Sequence, residues 1–424
     1  MSRELVDSNI EWLGKIPNNW SIKPLKRVII ERNELNKNEK ESFLLSLTIQ
    51  DGVIPYSEKT GGGNKAKEDI SKYKIVKKND IVINSMNVVV GAAGISKYNG
   101  LVSPVYYIFS ETSKSCARFY NYMFLNQTFE NHLFGLGNGI LVKINEDNGK
   151  MNTIRKKIPI EKLNNEYIPV PSKDEQIKIA NYLDKKVELI DETIANNKKE
   201  IELLEEYKQS SINNELDNEN WRKARIKNTS YLKGRIGWQG LTTSDYRDEG
   251  AYLITGTDFE NGTINWDKCV YISEERYEED NNIHIKEGDL LITKDGTIGK
   301  LAIIDKLLGK TTLNSGVMLI RSNNDSICYD NNYLYYVLKS DIFWNWYESN
   351  QKGNSTIRHL YQEQFYNFKY PLPELNIQRK IVKYLDKKIS NINKVIKYRQ
   401  QIIENLEEYK KSLIYEAVTG KIEV

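Results

Sequence analysis

The chain has 424 residues, with 61 Lys and Arg against 58 Asp and Glu, 27 Tyr, 7 Trp and three cysteines. That length calls for two or more cores, the aromatic content excludes a disordered chain, and a net charge of only +3 excludes a protein that grips DNA by bulk charge alone. The opening MSRELVDSNIEW lacks an apolar signal-peptide core, and no run approaches the ~18 apolar residues of a membrane span. Cys116, Cys269 and Cys328 stand far apart, so the expectation is reduced thiols in the cytoplasm.

Trp20, in NNWSIKPLKR, opens a mixed region. Lys78-Asn79-Asp80 precedes IVINSMNVVVGAAGI (81–95), which with LVSPVYYIF (101–109) reads as strand. An aromatic helix follows over CARFYNYMFLNQTF (116–129), then the glycine-rich loop GLGNGILVK (135–143). Pro169 and Pro171 lead into a long helix capped by Ser172 or Asp174. Ala180, Leu183, Val187, Ile190, Ile194, Asn197, Ile201 and Leu204 then recur at spacings of three and four, a heptad seam.

The same order then repeats. Trp221 stands in NENWRKARIK. Glu287-Gly288-Asp289 answers Lys78-Asn79-Asp80, DLLITKDGTIGKLAII (289–304) and SGVMLI (315–320) read as strand, and NNYLYYVLKSDIFWNWY (331–347) reads as helix. KGNSTIRHL (352–360) takes the place of the glycine-rich loop. A second long helix carries the seam Val382, Leu385, Ile389, Ile392, Ile396, Arg399, Ile403 and Leu406. Residues 169–212 and 371–414 align without a gap at an offset of 202, with 21 of 44 positions identical. The globular parts repeat too, but have diverged much further. A repeat at this period divides the chain into two equal halves.

The fold expected is α+β: two mixed α/β domains (1–171 and 217–373) joined by long helices (172–216 and 374–424). A helix of about 40 residues at ~1.5 Å each makes a rod of roughly 60 Å whose apolar stripe needs a partner. The chain offers its own copy, giving an antiparallel, pseudo-twofold coiled coil. Asn197 and Arg399 hold equivalent seam positions, and the expectation is that they face each other and set the register. Charge divides unevenly: residues 1–171 carry +6, 172–216 carry −4, 217–373 carry −3 and 374–424 carry +4.

No catalytic set assembles. GTIGK (296–300) lacks P-loop spacing, no GxGxxG follows a strand, and no NPPY- or DPPY-type methyltransferase tetrapeptide occurs. His132, His284 and His359 are scattered, with no metal-ligand spacing. Glu206-Tyr-Lys208 and its repeat Glu408-Tyr-Lys410 fit part of a nuclease E-x-K, but both lie on long helices and read as solvated faces.

IPVPSKDEQIKIANYLD, YPLPELNIQRKIVKYLD, LLEEYKQSSI, NLEEYKKSLI and AVTGKIEV, in this order, resemble the specificity subunit of type I restriction–modification systems. GWQGLTTSDYRDEGAYLITGTDF, GDLLITKDGTIGK and GNSTIRHL add to the resemblance. It covers essentially the whole chain and implies two target recognition domains reading the halves of a bipartite double-stranded DNA target. It implies conserved helical spacers that set the gap, since half-site spacing is a geometric property of the reader. It implies no catalysis in this chain: two partner methyltransferase subunits would methylate adenine with S-adenosylmethionine. In complexes that cut, two translocating nuclease subunits would use ATP and Mg. The expected DNA contacts in the second domain are Thr242, Thr243, Tyr246, Lys294, Asp295, Ser355, Thr356, Arg358 and His359. In the first they are Asn84, Ser85, Met86, Asn87, Asn138 and Lys143, matched by position, although NSMNVVVGAAG stands where KDGTIGK would. The rivals are the specificity subunit of a system with fused methyltransferase and nuclease, a coiled-coil adaptor that binds no DNA, and an enzyme in its own right.

Overall fold

A computed structural model describes residues 3–37, 41–49, 51–60, 69–86, 92–139, 156–235, 241–323, 329–350 and 358–424. They fall into two compact units, one drawn from residues 1–198 with 400–424, the other from 199–399. Neither unit stops where its globular part ends; each takes a portion of both long helices.

The first unit opens with an antiparallel hairpin of Leu5–Asp7 and Lys15–Pro17. Ser21–Pro24, just after Trp20, pairs with Tyr167–Val170, the strand that feeds the first long helix. The central sheet is ordered Ile30–Glu31, Tyr106–Ser110, Ile81–Asn84, Ala93–Ile95, with every pairing antiparallel. Both faces of this sheet are covered, which explains the unbroken apolar run IVI. Ile81 and Ile83 enter one core with Phe109, Phe119, Phe124 and Phe129. Val82, one residue out of phase, joins a separate core with Ile108, Leu45, Leu47, Val53 and Val76, as a two-residue side-chain period requires.

The second unit is built to the same plan. Lys223–Arg225 pairs with Lys369–Pro371, again the strand that feeds a long helix. Its sheet runs Ser230–Gly234, Val317–Ser322, Leu290–Thr293, Leu301–Ile303. Leu290, Ile292, Met318 and Ile320 face a core shared with the aromatic helices. Leu291, Val317 and Leu319 face another. A further sheet, Tyr246–Arg247, Val270–Ile272, Ala251–Ile254 and Thr311–Leu313, includes a parallel pairing of its last two strands.

Several segments that read as single elements are broken. Residues 289–304 form two antiparallel strands rather than one, because Gly296 and Gly299 take φ of +66° and +82° between them. Residues 81–95 likewise hold two strands. The helix expected over 116–129 divides into Ala117–Phe124 and Gln127–Leu136, since the Asn126 side chain accepts from Thr128 N and starts a new helix. The helix over 331–347 divides at the buried Ser340 into Asn331–Lys339 and Asp341–Asn350.

The turns before the central strands are true counterparts. Asn79 at φ +73° and Gly288 at φ +85° make the left-handed step. Asp80 then accepts from Lys77 N at 2.8 Å and from Arg32 Nε at 2.7 Å. Asp289 accepts from Lys286 N at 2.6 Å and from Arg321 Nη2 at 2.6 Å. Both carboxylates are 3% exposed, and a charge so buried needs such partners.

The long helices run Lys173–Leu216 and Leu375–Val418. Ser172 Oγ accepts from Glu175 N at 3.3 Å, which makes Ser172 the cap. The pairing is antiparallel within each unit. In the first, Lys410 Nζ reaches Asp191 at 2.6 Å, while Gly420 lies against Trp20, whose Nε1 donates to Glu175 at 3.0 Å. In the second, Lys208 Nζ reaches Asn393 Oδ1 at 3.4 Å and Arg399 pairs with Glu200. The seam residues Ile190, Ile194, Ile392 and Ile396 are buried, while off-seam Leu189, Leu203 and Tyr398 are exposed. Asn197 is buried in the first unit and donates to Thr193 O at 2.8 Å; Arg399 belongs to the second.

Candidate nucleic-acid interface

The loop joining Leu290–Thr293 to Leu301–Ile303 is held from inside. Thr293 Oγ1 donates to Thr297 O at 2.6 Å and accepts from Lys300 N at 2.9 Å. A Cβ on Gly299 would stand 2.5 Å from the Trp344 ring, so only glycine lets the loop lie there. Lys294 N donates to Gly316 O at 2.9 Å, and Lys294 O accepts from Leu360 N at 3.0 Å. This second bond carries residues 358–361 onto the loop. His359 Nδ1 bonds Asp295 Oδ1, the Tyr361 ring lies 4.4 Å from the imidazole, and Arg358 pairs with Glu348 at 2.7 Å. Lys294, Asp295, Arg358 and His359 thus share one surface. Ser355 and Thr356 lie outside the described residues.

Thr242, Thr243 and Tyr246 stand in a separate turn. Thr242 N donates to Asp245 Oδ2 at 2.9 Å, its hydroxyl bonds Ser244 and Asp245, and Tyr246 pairs with Ile272. The Thr242 hydroxyl is therefore engaged in shaping the turn. The Thr242 amide and the Arg276 guanidinium hold the Asp245 carboxyl below the usual range.

Arg235, which sequence reasoning missed, connects the two places. It is 1% exposed; Nε donates to Leu313 O at 2.9 Å and Nη1 lies 3.5 Å from Glu279, which also takes Arg276 at 2.6 Å. Burial pulls its pKa down while Glu279 opposes the shift. A Cβ on neighbouring Gly234 would sit 3.4 Å from Lys294 Nζ. The only signal in the sequence is a basic residue beside the glycines of KGRIGWQG.

The first unit repeats the frame with other side chains. Ser85 N donates to Val105 O at 3.4 Å, and Ser85 O accepts from Ile158 N at 3.1 Å. Ile158 and Leu360 are 202 residues apart, the offset of the helices, so Ser85 stands where Lys294 does. Met86 stands where Asp295 does, and the exposed Lys157 where His359 does. Ser85 is 1% exposed, which places it in the floor of this surface rather than on it. Asn84 Oδ1 accepts from Met86 N at 3.0 Å.

The backbone bonds put Lys157 in the place that His359 takes in the second unit. Asn138 pairs with Lys157 in a two-residue ladder; Asn87 and Lys143 lie outside the described residues. Below this frame Lys74 is buried, donating to Tyr106 O at 3.0 Å and lying 5.5 Å from the Tyr107 ring. Burial lowers its pKa, Glu31 opposes, and Lys157 adds to the lowering.

Among the described residues no three His, Cys, Asp or Glu side chains could hold a metal ion, and no helix is long and apolar enough to cross a membrane. The type I restriction modification DNA specificity domain matches the sequence twice, over residues 17–206 and 219–406. A Methanocaldococcus jannaschii protein provisionally assigned as the specificity subunit of type I restriction enzyme MjaX is 23% identical, over 97% of this chain and 96% of its own length. The type I restriction enzyme MjaVIII specificity subunit of the same organism is 31% identical over 42% of this chain and 39% of its own. Two solved structures share the fold at 14% identity. One, from work on complex assembly and conformational transition of the type I R-M system, has a TM-score of 0.72 over 96% of this chain and all of its own. The HsdS subunit from Thermoanaerobacter tengcongensis has 0.57 over 98% and 100%.

Proposed function

Because the chain belongs to the type I restriction modification DNA specificity family and carries its domain twice, we propose that each globular part reads one half of a bipartite duplex target. The paired helices hold the two readers a fixed distance apart and dock two adenine methyltransferase subunits. S-adenosylmethionine binds to those partners, and ATP and Mg to nuclease subunits where these join. The chain itself supplies recognition and spacing without catalysis.

One observation carries this reading. The same main-chain frame presents Asp295 and His359 in one unit but Met86 and Lys157 in the other, with Lys294 answered by the buried Ser85. A scaffold repeated with different surface chemistry suits two readers of two different sequences, because base edges are told apart by donor and acceptor pattern. The acidic balance of residues 217–373 favours a local reading face over bulk attraction to phosphate. Mapping methylated adenines in the host with and without the gene tests it. One two-part motif with a fixed gap should vanish on deletion; an unchanged methylation pattern overturns the reading.

A further inference from the structure

His359 Nδ1 donates to the Asp295 carboxylate, and that bond decides which ring nitrogen carries the proton. The neighbouring backbone is anchored by the Leu360 N to Lys294 O bond, and Tyr361 packs beside the imidazole at 53°. Ring position and orientation are therefore set before any ligand arrives. The side chains are 25% and 43% exposed, and a pair this open contributes little to stability. The first unit keeps the same frame with Met86 and Lys157 in these places, so the frame itself forms there without such a pair. An imidazole oriented at the surface of a reading face is suited to recognition.

We propose that His359, positioned by Asp295, reads a base edge in the half-site of the second domain. With Nδ1–H given to Asp295, a ring that carries a single proton offers Nε2 as an acceptor. Its complement in the major groove is an exocyclic amine, adenine N6 or cytosine N4. Asp295 is a positioning residue and does not touch the base. The inference rests on the DNA-reading role of this domain.

The test uses the full chain assembled with its methyltransferase partners and duplexes carrying each base pair at each half-site position. His359→Ala should lower discrimination at one position by roughly 5- to 100-fold and leave the other positions unchanged. Removing the amine at that position, with purine for adenine or pyrimidinone for cytosine, should cost the parent protein a similar factor and His359→Ala nothing more. Asp295→Asn should weaken discrimination at that same position, and Asp295→Glu should restore part of it. His359→Gln keeps a polar side chain and should alter preference there alone, which separates reading from misfolding. Unchanged discrimination in His359→Ala, or an equal loss at every position, overturns the assignment. A parent complex with no half-site preference overturns the DNA-reading role itself, a distinct result.

Discussion

Gln176 and Gln378, 202 residues apart, perform the same task at the start of the two long helices. Both are 0% exposed. Gln176 Oε1 accepts from Cys116 N at 2.8 Å while Nε2 donates to Pro171 O at 2.9 Å. Gln378 Oε1 accepts from Asp330 N at 2.9 Å while Nε2 donates to Pro373 O at 2.7 Å. Each amide ties its helix entry to the aromatic helices of its own unit. Tyr120 and Tyr333 add donors to Pro169 O and Pro371 O at 3.3 and 3.0 Å.

Replacing either glutamine by leucine keeps the volume but strands a backbone N–H and a carbonyl. We expect a loss of about 2–6 kcal/mol in the affected unit, since each buried unsatisfied group costs about 1–3 kcal/mol. Hydrogen exchange resolved by segment checks this, with lost protection confined to the unit that carries the change.

Glu130 makes the first unit sensitive to pH. It is buried on the helix Gln127–Leu136, and burial pushes its pKa up to about 7 while Lys411 opposes the shift. A carboxyl with a raised folded pKa favours the fold when protonated. Its contribution is complete below about 4.5 and is lost as pH rises through about 7. Glu130→Gln should therefore be more stable than the parent at pH 8, by up to about 3 kcal/mol. The difference should fade toward pH 5. Denaturation midpoints of both proteins across this range give the answer.

Gly420 ends the second long helix in a Schellman turn: Lys421 N donates to Glu416 O at 2.8 Å, Gly420 N to Ala417 O at 3.2 Å, and φ is +71°. A Cβ there would stand 2.6 Å from Pro17 and 2.9 Å from Trp20. Gly420→Ala should destabilise the first unit by about 1–3 kcal/mol through backbone strain and overpacking. It should also loosen the hairpin before Trp20, seen as faster proteolysis there and a changed Trp20 emission.

Without partners, the chain should bind DNA weakly. For two or three phosphate contacts, raising salt from 50 to 200 mM should lower affinity roughly 10- to 40-fold. Tight specific binding by the lone chain at physiological salt would contradict this expectation.

The long helices, their seam and the two-part plan were legible because heptads and a gapless offset leave a direct imprint on sequence. Asp80 and Asp289 were also visible through their turns, since a left-handed step admits few residues. The proposed reading surface was harder. Its frame is made by main-chain bonds from Leu360 to Lys294 and from Ile158 to Ser85, which constrain side chains weakly and leave no motif. The place of Lys157 and the burial of Ser85 could therefore not be seen. Arg235 was hidden for a related reason: what makes it unusual is its loss of solvent, not its neighbours in sequence.

The interleaving of chain segments also sets an order of assembly. The core of the first unit includes Leu413, Ile414, Ala417 and Val418 beside Leu183, Ile190 and Ile194. At about 5–20 residues per second, the ribosome needs roughly 10–40 s to add the second 200 residues. Throughout that interval Leu183, Ile190 and Ile194 lack the partners they take from residues 413–418, whereas the other unit is drawn from residues 199–399 alone. The unit synthesised first is thus the last to be completed. Premature termination shortly before the C-terminus removes part of a core laid down at the beginning of translation, leaving the earliest-made half as the substrate for chaperones and proteases.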